Sequence, residues 1–361
     1  MRVLFIAYID HSGMASGSEV RTAKMLQAFR EEGHELIELT GWQTDADRVA
    51  KIRGVLRTIR ENKPDLCYIE SPTYPIMRHA DRRLIRTVHR MGVPIGYFYR
   101  DFNSKFPEEF PKRTDLPGRC KDLALALLQR LTDRCLRACD IIYLPSADAA
   151  PLFPFRDIRE LPPAGEDRLG ERKSASKVGI YVGGVIGHYD GALLLDAFSE
   201  LSRRDPAYEL LLVCREEEWE KLSHPCKGEK WLHVYHCAGE DLRPLYERAG
   251  FGLIVCSHAY RYNDLAVSVK LFEYLSYGLP QITINGRAMA RLIEENGIGL
   301  VAEPTAEAFA AAIERLCGDG ALYASLQENS RRALTERHLW AHRVRQVVRE
   351  LTEKKNGGGP A

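Results

Sequence analysis

The stretch 267–281, VSVKLFEYLSYGLPQ, decides how the chain is read. Val267, Leu271 and Leu275 repeat at four-residue spacing, the signature of one amphipathic helix. Ser268 is positioned as its N-cap, and Gly278 followed by Pro280 as its stop. Lys270 then falls in the first turn, where the helix dipole and free N–H groups favour negative charge. A lysine there calls for an anion in front of it. Glu273, three residues on, shares its helical face.

Outward from this helix, strands and helices alternate in both directions. Towards the N-terminus the apolar runs RVLFIAY (2–8), HELIELTG, DLCYIES (65–71), VPIGYFYRD (93–101) and DIIYLPS (140–146) read as strands. Helix-period segments separate them, among them VRTAKMLQAFREEGH and KDLALALLQRLTDRCLRAC (121–139). From Phe153 the pattern degrades into the polar PFRDIRELPPAGEDRLGERKSASK, a linker over about 154–176. The alternation restarts with VGIYVGG (178–184) and YELLLVC (208–214), then HVYHCA, FGLIVCS (251–257), PQITING (280–286) and GLVAE. Such alternation predicts an α/β chain of two tandem Rossmann-like, doubly wound parallel domains with an interdomain cleft. The expected divisions are residues 1–165, residues 177–335, and an amphipathic helix with a tail over 336–361.

Composition narrows the function. The chain has 361 residues, 45% apolar and 28% charged, enough for two cores. Its net charge of +1 argues against a protein built to coat nucleic acid. The charge is uneven: eleven Lys/Arg stand against five Asp/Glu between Arg78 and Lys121. A solvated surface explains that, as does a face meeting anionic lipid. The nine cysteines lack metal-ligand spacing and suit free thiols in a reducing compartment. The opening apolar run is too short for a signal peptide, and no window reaches the roughly eighteen apolar residues of a membrane span. A cytoplasmic protein is expected, with peripheral association at the inner membrane face as a further expectation.

Two segments could cradle a phosphate. The first strand leads into a loop with Gly13 and Gly17, and Ser18 and Glu19 open the next helix. The run VGGVIGHYDG (182–191) repeats the device with Gly183, Gly184, Gly187 and His188. The spacing is not G-x-G-x-x-G, which disfavours a nicotinamide dinucleotide. Joined to Ser268 and Lys270, the second loop makes a diphosphate cradle, with Glu273 set to receive ribose hydroxyls. The bland reading of Lys270 and Glu273 is a surface ion pair worth a few tenths of a kcal/mol.

VSVKLFEYLSYGLPQI resembles the P-x-K-x-F-E-Y signature of GT-B glycosyltransferases, in particular the retaining, nucleotide-sugar-dependent family four. MRVLFIAY with SGSE, ACDIIYLPS, LPPAGED, IYVGG with LLLDAF, and DLRPLYERAGFGLIV resemble family segments in the same order. YFYRDFNSKFP resembles the variant found in enzymes that assemble cell-surface polysaccharides. The resemblance implies transfer of a sugar from a nucleotide-diphosphate donor to a saccharide or lipid-linked acceptor, with no cofactor and no bound metal.

By the same resemblance Lys270 would meet the diphosphate and Glu273 the donor ribose. Gly17, Ser18, Gly183, Gly184, His188 and Tyr189 would line the phosphate and sugar side, with Ser268, Val269 and Leu271 of the signature. Cys214, Arg215, Tyr235 and His236 would lie near the nucleobase. Independently of the resemblance, Arg100 and Asp101, at the end of a strand expected to face the cleft, are the candidates for holding the acceptor. The sequence departs from the family where Leu265 replaces a frequent acidic residue and Arg100 a frequent histidine. Alternatives are a non-catalytic nucleotide-sugar-binding subunit and a GT-B nucleotide-sugar epimerase. An anionic membrane surface is a further expected partner; nucleic acid is not.

Overall fold

The computed structural model describes residues 1–9, 17–109, 115–284 and 286–357. The chain divides into two units, Met1–Pro162 with Trp340–Ala361, and Pro163–Leu339.

The first unit has six parallel strands: β1 (Arg2–Ile6), β2 (Glu35–Leu39), β3 (Leu66–Glu70), β4 (Ile95–Phe98), β5 (Ile141–Leu144) and β6 (Ile158–Glu160). Their order in the sheet is β2-β1-β3-β4-β5-β6. Helices α1 (Gly17–Glu31), α2 (Arg48–Glu61), α3 (His79–Arg90) and α4 (Leu116–Leu136) connect them. Strands β3, β4 and β5 are buried at every position, which is why they read as continuous apolar runs. Glu70 is the exception in character, a buried carboxylate ending β3.

Three features depart from the sequence reading. Strand β6 lies inside the expected linker; it has only three residues, all half-buried, too few to show a period. The C-terminal helix, Trp340–Asn356, belongs to the first unit rather than standing apart. Its buried Val344, Val347 and Leu351 form the apolar stripe that requires a partner. Helix α4 begins at Leu116, five residues before Lys121, because Asp115 caps it by accepting from Gly118 N at 3.1 Å.

The second unit has β7 (Val178–Val182), β8 (Glu209–Val213), β9 (Leu232–Tyr235), β10 (Phe251–Ile254), β11 (Gln281–Ile284) and β12 (Gly299–Ala302). Helices α5 (Gly191–Arg204), α6 (Glu216–Lys221), α7 (Arg243–Arg248), α8 (Arg261–Leu265), α9 (Val269–Ser276), α10 (Arg287–Asn296), α11 (Ala306–Gly318) and α12 (Gly320–Ala333) cover them. The sheet order is β12-β11-β10-β7-β8-β9, all parallel. The connection direction therefore reverses between β7 and β10. Ligands of doubly wound sheets bind outside the carboxyl ends of the strands at such a switch point.

Helix α9 is pinned across that switch point by Tyr274. A β-carbon on Gly252 of β10 would overlap the Tyr274 ring, so glycine lets the helix lie close to the sheet. The Tyr274 hydroxyl donates to Leu253 O at 2.9 Å and accepts from Val182 N at 3.3 Å. One side chain thus joins the helix to β10 and to the end of β7.

Candidate functional site

The site in the second unit begins at the N-terminus of α9. Ser268 is its N-cap, with Oγ accepting from Lys270 N at 3.3 Å. Val269 and Leu271 flank Lys270 in the first turn, and Leu271 is buried. The Lys270 ammonium donates to the Tyr181 hydroxyl at 3.2 Å. It sits between two rings, 4.4 Å from the centre of Tyr181 and 4.5 Å from that of Tyr189. Among the described residues it has no ion-pair partner. Burial holds its pKa down to about 8, although Glu273, Cys256 and Glu218 pull it upward.

The loop after β7 is shaped around that lysine. A β-carbon on Gly183 would fall on the Lys270 side chain, and its φ of +145° favours glycine independently. A β-carbon on Gly184 would overlap the Tyr189 ring. The Tyr181 hydroxyl donates to Gly184 O at 2.5 Å while accepting from Lys270. Glu218 of α6 accepts from Val185 N at 3.0 Å and pairs with Arg215 at 3.0 Å. The structure therefore brings Gly183, Gly184, Tyr189, Ser268 and Lys270 together.

Glu273 lies on the same helix with a different partner. It accepts from the Tyr246 hydroxyl at 3.1 Å, and Tyr246 stacks on Tyr277 at 4.7 Å. Burial raises the Glu273 pKa, opposed by the Tyr246 hydrogen bond and by Lys270. Lys270 and Glu273 do not pair with each other, which removes the simple surface-pair reading.

His188 is tied to the loop after β10. Its ring lies 3.9 Å from that of Tyr260, and its carbonyl accepts from Ser257 N at 2.9 Å and from Asn263 Nδ2 at 2.8 Å. At the ends of β8 and β9, Cys214 N donates to Tyr235 O at 3.1 Å, and the His236 ring sits 2.8 Å from Cys214 O. Cys214, Tyr235 and His236 thus form one cluster. Arg215 points outward from it, with its side chain 73% exposed.

Tyr181, Glu218, Tyr246 and Asn263 were not singled out in the sequence. Tyr181 is masked by an ordinary strand run, and Glu218 by three consecutive glutamates in α6. No local pattern marks Tyr246 or Asn263, because both act across elements distant in the chain.

In the first unit, Gly13 lies outside the described residues, and Gly17 and Ser18 are the first residues of α1. Arg100, two residues past β4, is buried and donates to Thr22 Oγ1 at 2.9 Å and Glu70 Oε2 at 3.4 Å. Glu70 also receives Arg21 Nε at 3.3 Å and the Tyr68 hydroxyl at 2.7 Å. Arg100 Nε and Nη1 and Arg21 Nη1 remain without a partner among the described residues. Burial raises the pKa of Asp101, while Arg100 and a hydrogen bond with Thr73 lower it.

The basic stretch from Arg78 to Lys121 does not form one exposed face. Arg82 is buried and donates to Ile76 O and Met77 O, and Arg78 donates to the carbonyls of Gln43, Thr44 and Asp45. Phe106 is buried, and Phe110, Lys112 and Arg113 lie outside the described residues. No helix among the described residues is long and apolar enough to cross a membrane.

Residues 192–349 match the family model described as glycosyl transferase-like. No curated protein sequence matches the chain. Among solved structures, HepE from Anabaena in complex with UDP aligns over 98% of this chain and 100% of its own, with TM-score 0.67 and 13% identity. WaaG, a glycosyltransferase involved in lipopolysaccharide biosynthesis, aligns over 99% and 100%, with TM-score 0.62 and 15% identity. An alpha-glucosyltransferase in complex with UDP aligns over 98% and 100%, with TM-score 0.64 and 12% identity. The chain has the GT-B fold.

Proposed function

We propose that this protein is a glycosyltransferase that moves a sugar from a nucleoside diphosphate sugar to a saccharide or lipid-linked saccharide acceptor. The carrying observation is Lys270, a cation enclosed by two tyrosine rings at the N-terminus of α9, with no counter-ion among the described residues. A diphosphate supplies the missing charge and also accepts from the free N–H groups of that helix end. HepE was solved with UDP and with UDP-glucose, which supports the same ligand class here.

Departure of the nucleotide leaves negative charge on the diphosphate as the anomeric carbon becomes cation-like. Lys270, Ser268 with the helix N-terminus, and the Gly183–Gly184 backbone are the groups that stabilise it, in place of a bound metal. Retention follows from front-face attack, in which the departing phosphate oxygen takes the acceptor proton and no protein nucleophile is needed. Glu273, oriented by Tyr246, accepts from the donor ribose. Cys214, Tyr235 and His236 take the nucleobase. Arg100 retains unpartnered guanidinium N–H groups and, with Asp101, holds acceptor hydroxyls.

Thermal unfolding with UDP tests the reading. At a hundredfold excess over its dissociation constant, UDP adds about 2.7 kcal/mol of stability. A chelator should leave that shift unchanged, and Lys270→Ala should remove most of it. Equal shifts in wild type and variant would overturn the assignment.

A further inference from the structure

Every exposed leucine among the described residues lies on α4: Leu116, Leu123, Leu127 and Leu131 are 74%, 72%, 58% and 36% exposed. At about 100° per residue they share one meridian of the helix with exposed Cys120. Arg119, Arg130 and Arg137, also exposed, run along one flank of that stripe at spacings of eleven and seven residues. Arg134 and Lys121 are exposed as well, against the acids Asp115 and Asp122. The opposite face is fixed in the unit: Thr132 Oγ1 accepts from Ile76 N at 3.0 Å, and Gln129 Nε2 donates to the Tyr99 hydroxyl at 2.9 Å. The helix is therefore held in place by its buried side while its apolar side is turned to solvent.

A leucine stripe beside a row of arginines suits a surface that is apolar below and anionic above. We infer that α4 is the element by which this protein docks on a bilayer containing anionic lipid, with the leucines entering the acyl boundary and the arginines meeting headgroup phosphates. A second copy of the chain is a poorer occupant, because pairing these faces would bring the same basic residues together. The inference does not depend on the transferase reading, since docking requires no donor.

The test is co-sedimentation with phosphatidylcholine vesicles containing phosphatidylglycerol, against phosphatidylcholine alone. The protein should bind the anionic vesicles at low salt and be released at high salt. The double variant Leu123→Gln, Leu127→Gln and the triple variant Arg119→Ala, Arg130→Ala, Arg137→Ala should each lower partitioning by about tenfold or more. Because the altered residues are exposed, thermal unfolding and the UDP-induced shift should stay as in wild type. Failure of the wild type to sediment with anionic vesicles would overturn the inference, as would variants that sediment like it. So would a dimer that the leucine variant disperses while vesicle binding persists.

Discussion

The side chain of Lys270 occupies the place where a β-carbon on Gly183 would stand. The lysine and the loop after β7 are one construction, and the glycine is the absence that admits the cation. Gly183→Ala should therefore push the ammonium out and abolish UDP-induced stabilisation. It also strains a backbone at φ +145°, at a cost of about 1–3 kcal/mol. Gly187→Ala separates the two effects, since its φ of +69° is strained but nothing lies within 4 Å of the added carbon. Isothermal titration should find UDP binding lost in the first variant and kept in the second. Equal losses would mean that loop strain, not Lys270, governs binding.

A pH dependence follows from the same lysine. Its pKa falls from the ordinary 10.5 to about 8 on folding, so between those values the unfolded chain binds more protons. Stability of the free protein should accordingly rise with pH across that window. Binding runs the other way, because the diphosphate needs the charged form. UDP affinity should be level below pH about 8 and fall above it, approaching tenfold per pH unit. Calorimetry in two buffers of different ionisation enthalpy should show proton uptake on binding above that pH. Lys270→Arg should flatten the profile; a profile unchanged in that variant would assign the titration elsewhere.

Much of this was legible in the sequence, for a physical reason. Strands β1, β3 to β5, β7, β8, β10 and β11 are mostly buried and so read as apolar runs, while β2, β9 and β12 at the sheet edges are largely half-buried. Strand β6 is half-buried and too short to show a period. The proposed phosphate cradle was legible because its parts are local: glycines directly after a strand, and a lysine in a helix's first turn. Its supports were not. Tyr181, Glu218 and Tyr246 each reach the site from elsewhere, and their side chains carry no mark of that in the chain. The basic stretch was legible only in part. Sequence counts charges but does not show that Arg78 and Arg82 turn inward to cap carbonyls.

Glu273→Gln should weaken donor binding and lower turnover while leaving unfolding nearly unchanged. The amide keeps an acceptor for the Tyr246 hydroxyl, now at 3.1 Å from the carboxylate, but loses the charge. Tyr246→Phe is the companion. It frees the carboxylate from its orienting donor and should raise KM for the donor more than it changes kcat. An unfolded Glu273→Gln variant, or one with normal donor affinity and turnover, would make the residue structural.

The last prediction sets a stabilising charge against the proposed functional ones. Arg48 is fully buried in the first unit and gives Asp81 Oδ1 two hydrogen bonds, at 3.1 and 2.9 Å. Its Nη1 donates to Ala7 O and Gly41 O at 3.1 Å each, and its guanidinium lies 4.7 Å from the Tyr8 ring centre. Asp81→Ala would leave that guanidinium buried without a counter-charge, at a cost of about 3–5 kcal/mol. Replacing both partners, Arg48→Met with Asp81→Leu, removes the buried charges together and should recover most of the loss. Neither partner belongs to the unit that holds Lys270. At temperatures where the single variant is still folded, its UDP affinity should match wild type. Urea unfolding supplies the stabilities and titration the affinities. If Asp81→Ala were as stable as wild type, the pair would not hold the first unit together; if its folded form bound UDP poorly, the pair would act on the donor site as well.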